Sequence, residues 1–244
     1  MAIKKGDFIE IDYTGRVADD KTAFDTTVEQ IAKDEGIYSE KTSYGPATIV
    51  VGEGHVIPGL DKQLVGKEPG KHTFEITAEE AFGKKSAKQL KLVPAKVFRQ
   101  QNIRPFVGLQ VNVDNEIGVI RSVSGGRIIV DFNHPLASKD VIYEVEIKRI
   151  LEDSKEKLEN YFSLMGLPYD DLSLDGKNAT VTTSMQFPPQ LIEQLTADLK
   201  RLTGLENITF ETKKQESDSD DKSSSKDDSK SGPDSSTSSS EQDE

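Results

Sequence analysis

Cysteine and tryptophan are absent from this 244-residue chain, and methionine and histidine occur three times each. Without cysteine there is no disulfide framework, no thiolate metal site and no thiol nucleophile. The same absence accords with a reducing compartment. His55, His72 and His134 stand far apart and lack the short spacing of zinc ligands such as His-x3-His, so neither a specific metal site nor a cofactor is expected. Also missing is any apolar run near the ~20 residues that a membrane-spanning helix requires. The opening Met1-Ala2-Ile3-Lys4-Lys5-Gly6-Asp7 turns polar at once, unlike a secretory leader. The expectation is a soluble, cytoplasmic protein with no membrane partner.

Positive charge is scarce beside negative: 31 Lys and Arg face 43 Asp and Glu, for a formal net charge of −12. Much of the imbalance lies in Gln215–Glu244, which holds ten acidic residues, three basic ones and twelve serines. Such a stretch cannot bury a core, so residues 214–244 are expected to form a disordered Ser/Asp-rich tail. Ser86–Ala137 runs the other way, with seven basic and three acidic residues. An acidic chain with one mildly basic stretch lacks the broad basic surface of a nucleic-acid binder, and no nucleic-acid partner is expected. The Lys and Arg of that stretch either form a solvated face or touch an acidic partner.

What is present is a series of short alternating segments. Phe8–Tyr13, Thr22–Thr26, Thr48–Val51, Lys71–Thr77 and Val141–Ile147 read as strands, with Gly15–Asp20 as a turn region and a helical piece around Val28–Glu35. Gly59–Val65 reads as a short helix stopped by Gly66. Between them, Val107–Asp114, Ile117–Ser124 and Arg127–Phe132 are strand candidates, with Ser124-Gly125-Gly126-Arg127 as a hairpin turn, preceded by a helical turn or two over Pro94–Gln101. After Lys148 the pattern becomes α-β-β-α-β. A helix is capped by Ser154 and runs to Leu164, and a hairpin spans Leu172–Leu174 and Ala179–Ser184. A second helix opens at Pro188-Pro189 and runs through Leu202, and a last strand covers Asn207–Thr212. The apolar face of the second helix suits either an interface or a small self-contained core. This C-terminal piece carries no chemical motif.

The most informative stretch is Gly52-Glu53-Gly54-His55-Val56-Ile57-Pro58-Gly59-Leu60-Asp61, in which three glycines and a proline surround a Val-Ile pair at a strand-to-helix junction. Glycine allows close backbone approach, so the pair suits the floor of a shallow pocket as well as plain core. Asp12-Tyr13-Thr14-Gly15 and Ala23-Phe24-Asp25-Thr26 precede it, and Glu80-Ala81-Phe82-Gly83 follows. That ordered set resembles the FKBP family of peptidyl-prolyl cis/trans isomerases, and the spacing after Phe82 resembles its SlyD-like, long archaeal type. The resemblance implies an α+β fold: an FKBP-like antiparallel sheet wrapped on a short helix, with an inserted small β-rich domain, a C-terminal α/β extension and the acidic tail. It places the isomerase domain at 1–85 and 138–153, an insert-in-flap chaperone domain at 86–137, and a C-terminal α+β domain at 154–213.

The resemblance also implies the site. Tyr13 matches the family's rim tyrosine, Phe24 its aromatic wall and Asp25 the carboxylate beside that wall. Val56 and Ile57 match the pair whose backbone receives the ligand, with the Ile57 amide as donor, and Tyr143 matches a further aromatic wall. Phe82 stands where most members carry tyrosine, Leu60 replaces a tryptophan floor, and Ala47 replaces another aromatic. The pocket so drawn stays apolar with fewer rings than usual, which weakens the case for tight macrolide binding more than the case for isomerisation. Taken singly, Phe24, Val56, Ile57, Leu60 and Phe82 read as plain core, Asp25 as a turn residue and Tyr13 as a half-buried strand residue; their order together carries the functional reading. The SlyD-like nickel-binding tail, rich in His and Cys, has no counterpart here. His134, in Asn133-His134-Pro135-Leu136-Ala137, resembles a motif at the exit of the inserted domain, where a structural role is expected. The implied partners are prolyl peptides and unfolded or partly folded proteins, the latter captured by apolar residues of the insert such as Phe106, Val107 and Ile117. The protein is expected to be a monomer, or a dimer through the C-terminal domain. The competing expectation is a catalytically idle module that holds one partner through the insert and the C-terminal domain.

Overall fold

The computed structural model describes residues 1–213, and these hold twelve strands and five α-helices in three sheets. The expected tail, 214–244, lies outside the described residues. Among the described residues no helix is long and apolar enough to cross a membrane, and no group of three or more His, Asp or Glu side chains is placed to hold a metal ion.

The chain begins with strand β1 (Phe8–Val17), β2 (Ala23–Thr26), helix α1 (Glu29–Asp34), β3 (Ala47–Val50), helix α2 (Pro58–Leu64) and β4 (Gly70–Ile76). It then builds a separate four-stranded antiparallel sheet from β5 (Leu90–Pro94), β6 (Gln110–Val113), β7 (Glu116–Ser124) and β8 (Arg127–Asp131), with helix α3 (Ala95–Gln100) after β5. Strand β9 (Val141–Leu151) rejoins the first sheet, lying between β1 and β4. A third sheet follows: helix α4 (Ser154–Leu164), β10 (Asp171–Asp175), β11 (Asn178–Thr183), helix α5 (Pro189–Thr203) and β12 (Asn207–Thr212). There β10 and β11 are antiparallel, while β12 runs parallel to β11, with α5 as the connection.

Each sheet covers its own apolar cluster. Alternation on β1 sends Ile9 and Ile11 to the inner face, where they meet Leu60 and Leu64 of α2, Phe74 and Ile76 of β4, and Tyr143 and Val145 of β9. The neighbouring Phe8 points the opposite way and joins Val50 and Leu151 in the C-terminal cluster, beside Phe162, Leu195, Leu199 and Leu202. The middle sheet buries Val93, Phe98, Val111, Ile120, Ile128 and Val130.

Three expectations need correction. Gly15–Asp20 is not all turn, because β1 continues to Val17 through a register shift at Gly15/Arg16 that keeps it paired with β2. Ser154 is not the cap of α4: Asp153 takes that position, its carboxylate accepting from the Glu156 N–H at 2.8 Å. Strand β5 has no local signal, since Leu90, Lys91 and Leu92 are all exposed and only Val93 is buried; its pairing with β8 makes it a strand. Pro94 sits at the end of this edge strand, where the missing N–H costs no ladder bond.

Candidate functional site

Strand pairing brings the upstream motifs together. Gly15 stands opposite Asp25 and Thr14 opposite Thr26, and the corner is tied by three bonds. The Thr26 hydroxyl donates to the Tyr13 carbonyl at 2.9 Å, the Tyr13 N–H donates to Thr27 Oγ1 at 2.9 Å, and the Thr14 and Thr26 hydroxyls meet at 2.8 Å. The Tyr13 hydroxyl is thereby held within 2.9 Å of Asp25 Oδ2, to which it donates. Asp25 is exposed and Tyr13 half-buried, so the pair forms a polar rim.

Inside that rim the rings form a continuous run. Tyr13 and Tyr143 lie 5.8 Å apart between centroids, Phe24 meets Tyr143 edge-on at 5.9 Å, and Phe24 meets Phe82 edge-on at 5.7 Å. The two edge-on contacts lie at separations that aromatic pairs prefer, while Tyr13 and Tyr143 are tilted at 45°. Val56 and Ile57 pack against the same core from the loop before α2. Among the described residues the Ile57 N–H makes no hydrogen bond, so the loop offers a spare donor beside the rings. Leu60 is fully buried, which makes it the support beneath the cup, not part of its surface. All eight expected site residues thus converge: six of them around the cup, Leu60 below it and Asp25 at its edge. Ala47 lies on β3 opposite Ile11, and Ala81 packs against the first core cluster.

Several further residues of the quoted motifs shape the site without being among its expected members. A Cβ on Gly15 would stand 2.7 Å from Phe24 and 3.2 Å from Tyr143, so only glycine lets those rings close over β1. Asp61 accepts from the Gly52 and Gly54 N–H groups at 2.6 and 3.3 Å, stapling the turn that leads to Val56 and Ile57. His55 Nδ1 accepts from the Val50 N–H at 3.1 Å. His134 stacks flat on Phe82, with centroids 4.7 Å apart and planes 3° apart. The chain returning from the middle sheet therefore touches the cup wall directly. Gly15, His55 and Asp61 lie inside the quoted motifs, and His134 lies inside Asn133–Ala137, where a structural role is expected; the contacts that each one makes are set by register and packing.

Cavities border some of these residues, including Tyr13, and also open elsewhere. One of about 330 Å³ opens on the outer face of the first sheet, between α1 and residues such as Asp12, Lys71 and Glu144, and one of about 420 Å³ borders Tyr169 and Met185. A smaller one, about 180 Å³, lies at Phe24, Asp25 and Tyr44. The features of the arrangement are ring placement and, among the described residues, the Ile57 N–H without a partner.

Both cup phenols are pushed above the ordinary tyrosine range, Tyr13 by burial and then by the carboxylate of Asp25, Tyr143 by burial and then by Asp25. A raised value means that the folded state holds the proton more tightly than the unfolded chain. The resulting stability is fully present below about pH 10, where unfolded tyrosines titrate, and is lost as pH rises from there toward the folded values. Unfolding midpoints measured between about pH 7 and 11 should therefore fall on the alkaline side less steeply in a Tyr13→Phe, Tyr143→Phe double variant than in the wild type. Equal slopes would show that these phenols are not held in the folded state.

Comparison with known proteins bears on this geometry. The family described as FKBP26, IF domain, matches residues 91–136. The chain is 29% identical over 149 residues to a short-type peptidyl-prolyl cis-trans isomerase of Methanocaldococcus jannaschii, spanning 61% of this chain and 94% of that protein. It is 33% identical over 125 residues to an FKBP-type 16 kDa peptidyl-prolyl cis-trans isomerase of Escherichia coli, spanning 48% of this chain and 83% of that protein. It is 30% identical over 136 residues to the FKBP-type peptidyl-prolyl cis-trans isomerase SlyD of Haemophilus influenzae, spanning 53% and 70%.

Proposed function

The chain belongs to the FKBP-type peptidyl-prolyl cis-trans isomerases, and from that premise we propose that it isomerises prolyl bonds at the cup formed by Tyr13, Phe24, Val56, Ile57, Phe82 and Tyr143, with Asp25 at the rim. Rotation about a peptide bond is opposed by ~18–20 kcal/mol because resonance holds the amide planar. Prolyl bonds populate both isomers yet exchange slowly enough to delay folding. Catalysis here needs no nucleophile and no proton carrier. It needs a surface that binds the twisted amide more tightly than the planar one. The rings receive the pyrrolidine, the Ile57 N–H donates to a substrate carbonyl, and the Tyr13–Asp25 pair orients the neighbouring backbone. The observation that carries this reading is the spare Ile57 donor set beside the continuous run of rings.

Residues 86–137 serve, in this proposal, as an inserted holder for unfolded chains, residues 1–85 and 138–153 as the isomerase domain, and 154–213 as a C-terminal domain. Support for the holder comes from apolar side chains left in solvent: Leu92, Phe106, Val107 and Ile117 are each 59–63% exposed. An exposed apolar patch of this kind suits weak, promiscuous capture. A cytoplasmic setting, with nascent or unfolded proteins as substrates, fits the cysteine-free composition.

A protease-coupled assay on short Xaa-Pro peptides tests the site. Wild-type protein should be active. Tyr13→Phe and Asp25→Ala should each lower kcat/KM by one to two powers of ten at most, at about 1.4 kcal/mol per power. Phe24→Ala should act by admitting water and weakening binding of the proline ring. Variants matching an active wild type would mean that the cup is not the site. An inactive wild type would favour the idle binding module.

A further inference from the structure

Helix α5 reaches the loop that carries the Ile57 donor. Arg201 donates from one guanidinium nitrogen to Glu53 Oε1 at 2.7 Å and from another to Glu53 Oε2 at 2.9 Å, a bidentate pair joining residues 148 apart in sequence. Asp198, one turn earlier, accepts from the same guanidinium at 3.0 Å and pre-orients it. Glu53 is the middle residue of the turn Gly52-Glu53-Gly54, whose glycines both adopt positive φ, +85° and +76°. Residues 52–57 are all half-buried or exposed, so apolar packing alone does not hold this turn. Besides the packing of Val56 and Ile57 and the Glu53 N–H on the Val50 carbonyl, its side-chain ties are Asp61 and His55 at its base and Arg201 on Glu53: Asp61 accepts from the two glycine N–H groups and His55 from the Val50 N–H. The first two ties come from within the first sheet and α2; the third comes from α5. That helix is itself anchored, since Leu195, Leu199 and Leu202 pack with Phe8, Val50 and Leu151, and Val50 is the last residue of β3 before the loop.

We propose that Arg201 is a positioning residue for the isomerase site: by clamping Glu53 it sets the Gly52–Ile57 loop and hence the direction of the Ile57 N–H. The role rests on the cup being the isomerase site. The Arg201 guanidinium also holds the Glu53 carboxyl below the usual carboxylate range, consistent with a formed pair. Arg201 is 48% and Glu53 23% exposed, and pairs this open contribute little to global stability. The clamp should therefore be visible in the loop and in turnover rather than in melting temperature. A donor whose interaction strengthens as the amide twists acts on kcat more than on KM, and small misplacements of such a group carry large rate penalties.

The test uses the full chain with Arg201→Ala, Glu53→Ala, the double variant and Arg201→Lys. Amide hydrogen exchange at Gly52 and Gly54 should quicken roughly tenfold in Arg201→Ala, while the melting temperature stays close to wild type. On short prolyl peptides kcat should fall roughly 3- to 10-fold with KM within about twofold. The double variant should be no worse than either single one, since both remove one interaction, and Arg201→Lys should recover part of the loss because it keeps the charge without the fork. Unchanged exchange would overturn the clamp. Quicker exchange with unchanged kcat, or losses that add in the double variant, would overturn the positioning role. Failure of the cup assignment is read separately, from wild-type inactivity on the same peptides, and it overturns the role as well.

Discussion

Removal of residues 86–137, with Lys85 joined to Ser138 through a short loop, should lower catalysed refolding of a proline-limited protein roughly 10²-fold while reducing turnover of short prolyl peptides only a few-fold. The two ends already meet: the Lys85 N–H donates to the Ser138 hydroxyl at 2.8 Å, and the Ser138 N–H donates to the Gly83 carbonyl at 2.8 Å. Closing them therefore imposes little strain on β4 or β9. The clusters under the first and middle sheets share no buried residue, so the core of the first sheet survives the deletion. The small loss on peptides has a specific origin, because the deletion removes the His134 ring that stacks on Phe82. The large loss on unfolded proteins is expected from removing the exposed Leu92, Phe106, Val107 and Ile117, which in the proposed holder role would raise the local concentration of chain beside the cup. Refolding kinetics and peptide turnover measured on the same preparation decide it. Equal loss on both substrates would make the segment part of the cup instead of a holder.

The support beneath the cup should be the most sensitive point for stability. Leu60→Ala should cost about 2–5 kcal/mol, because Leu60 is fully buried among Ile11, Leu64, Ile76 and Tyr143 and the strands around it cannot collapse into the void. In a fold of this size that corresponds to a fall in melting temperature of roughly 4–20 °C. Gly59→Ala should act by the opposite route. A Cβ there would stand 2.3 Å from Ile76 Cγ2 and 3.2 Å from the Glu80 carbonyl oxygen, the same carbonyl that accepts the Gly59 N–H at 2.9 Å. Helix α2 must withdraw from β4, at a cost of about 1–3 kcal/mol, and Ile57 at its start moves with it. Thermal melts alongside peptide turnover separate the two variants. Leu60→Ala should lose stability with activity retained well below its melting point, whereas Gly59→Ala should lose activity at temperatures where it is fully folded. A Gly59→Ala protein with wild-type turnover would show that the α2 start does not set the donor.

The element plan was legible in the chain itself, and the residues of the proposed cup were nominated by the family resemblance. Period-two alternation in Phe8–Tyr13 and Val141–Ile147 reflects a sheet with one face buried along most of its length, with Phe8 and Ile142 also buried on the other, and the turn-rich Gly52–Asp61 segment marks a strand-to-helix junction by the conformations its residues allow. Tyr13, Phe24, Asp25, Val56, Ile57 and Phe82 could be nominated because each sits in a short motif that resembles the family's, and Tyr143 because its strand matches the family's order. Tertiary structure decided what depends on partners distant in the chain. Strand β5 exists because β8 pairs with it, not through any pattern of its own. Gly15 matters because two rings from β2 and β9 close over it. His134 reaches Phe82, and Arg201 reaches Glu53, across 52 and 148 residues. Propensity and periodicity are properties of neighbours along the chain, and they determined where strands and helices form. Which side chains face one another across the folded molecule is a property of register and packing, and only the three-dimensional arrangement could decide it.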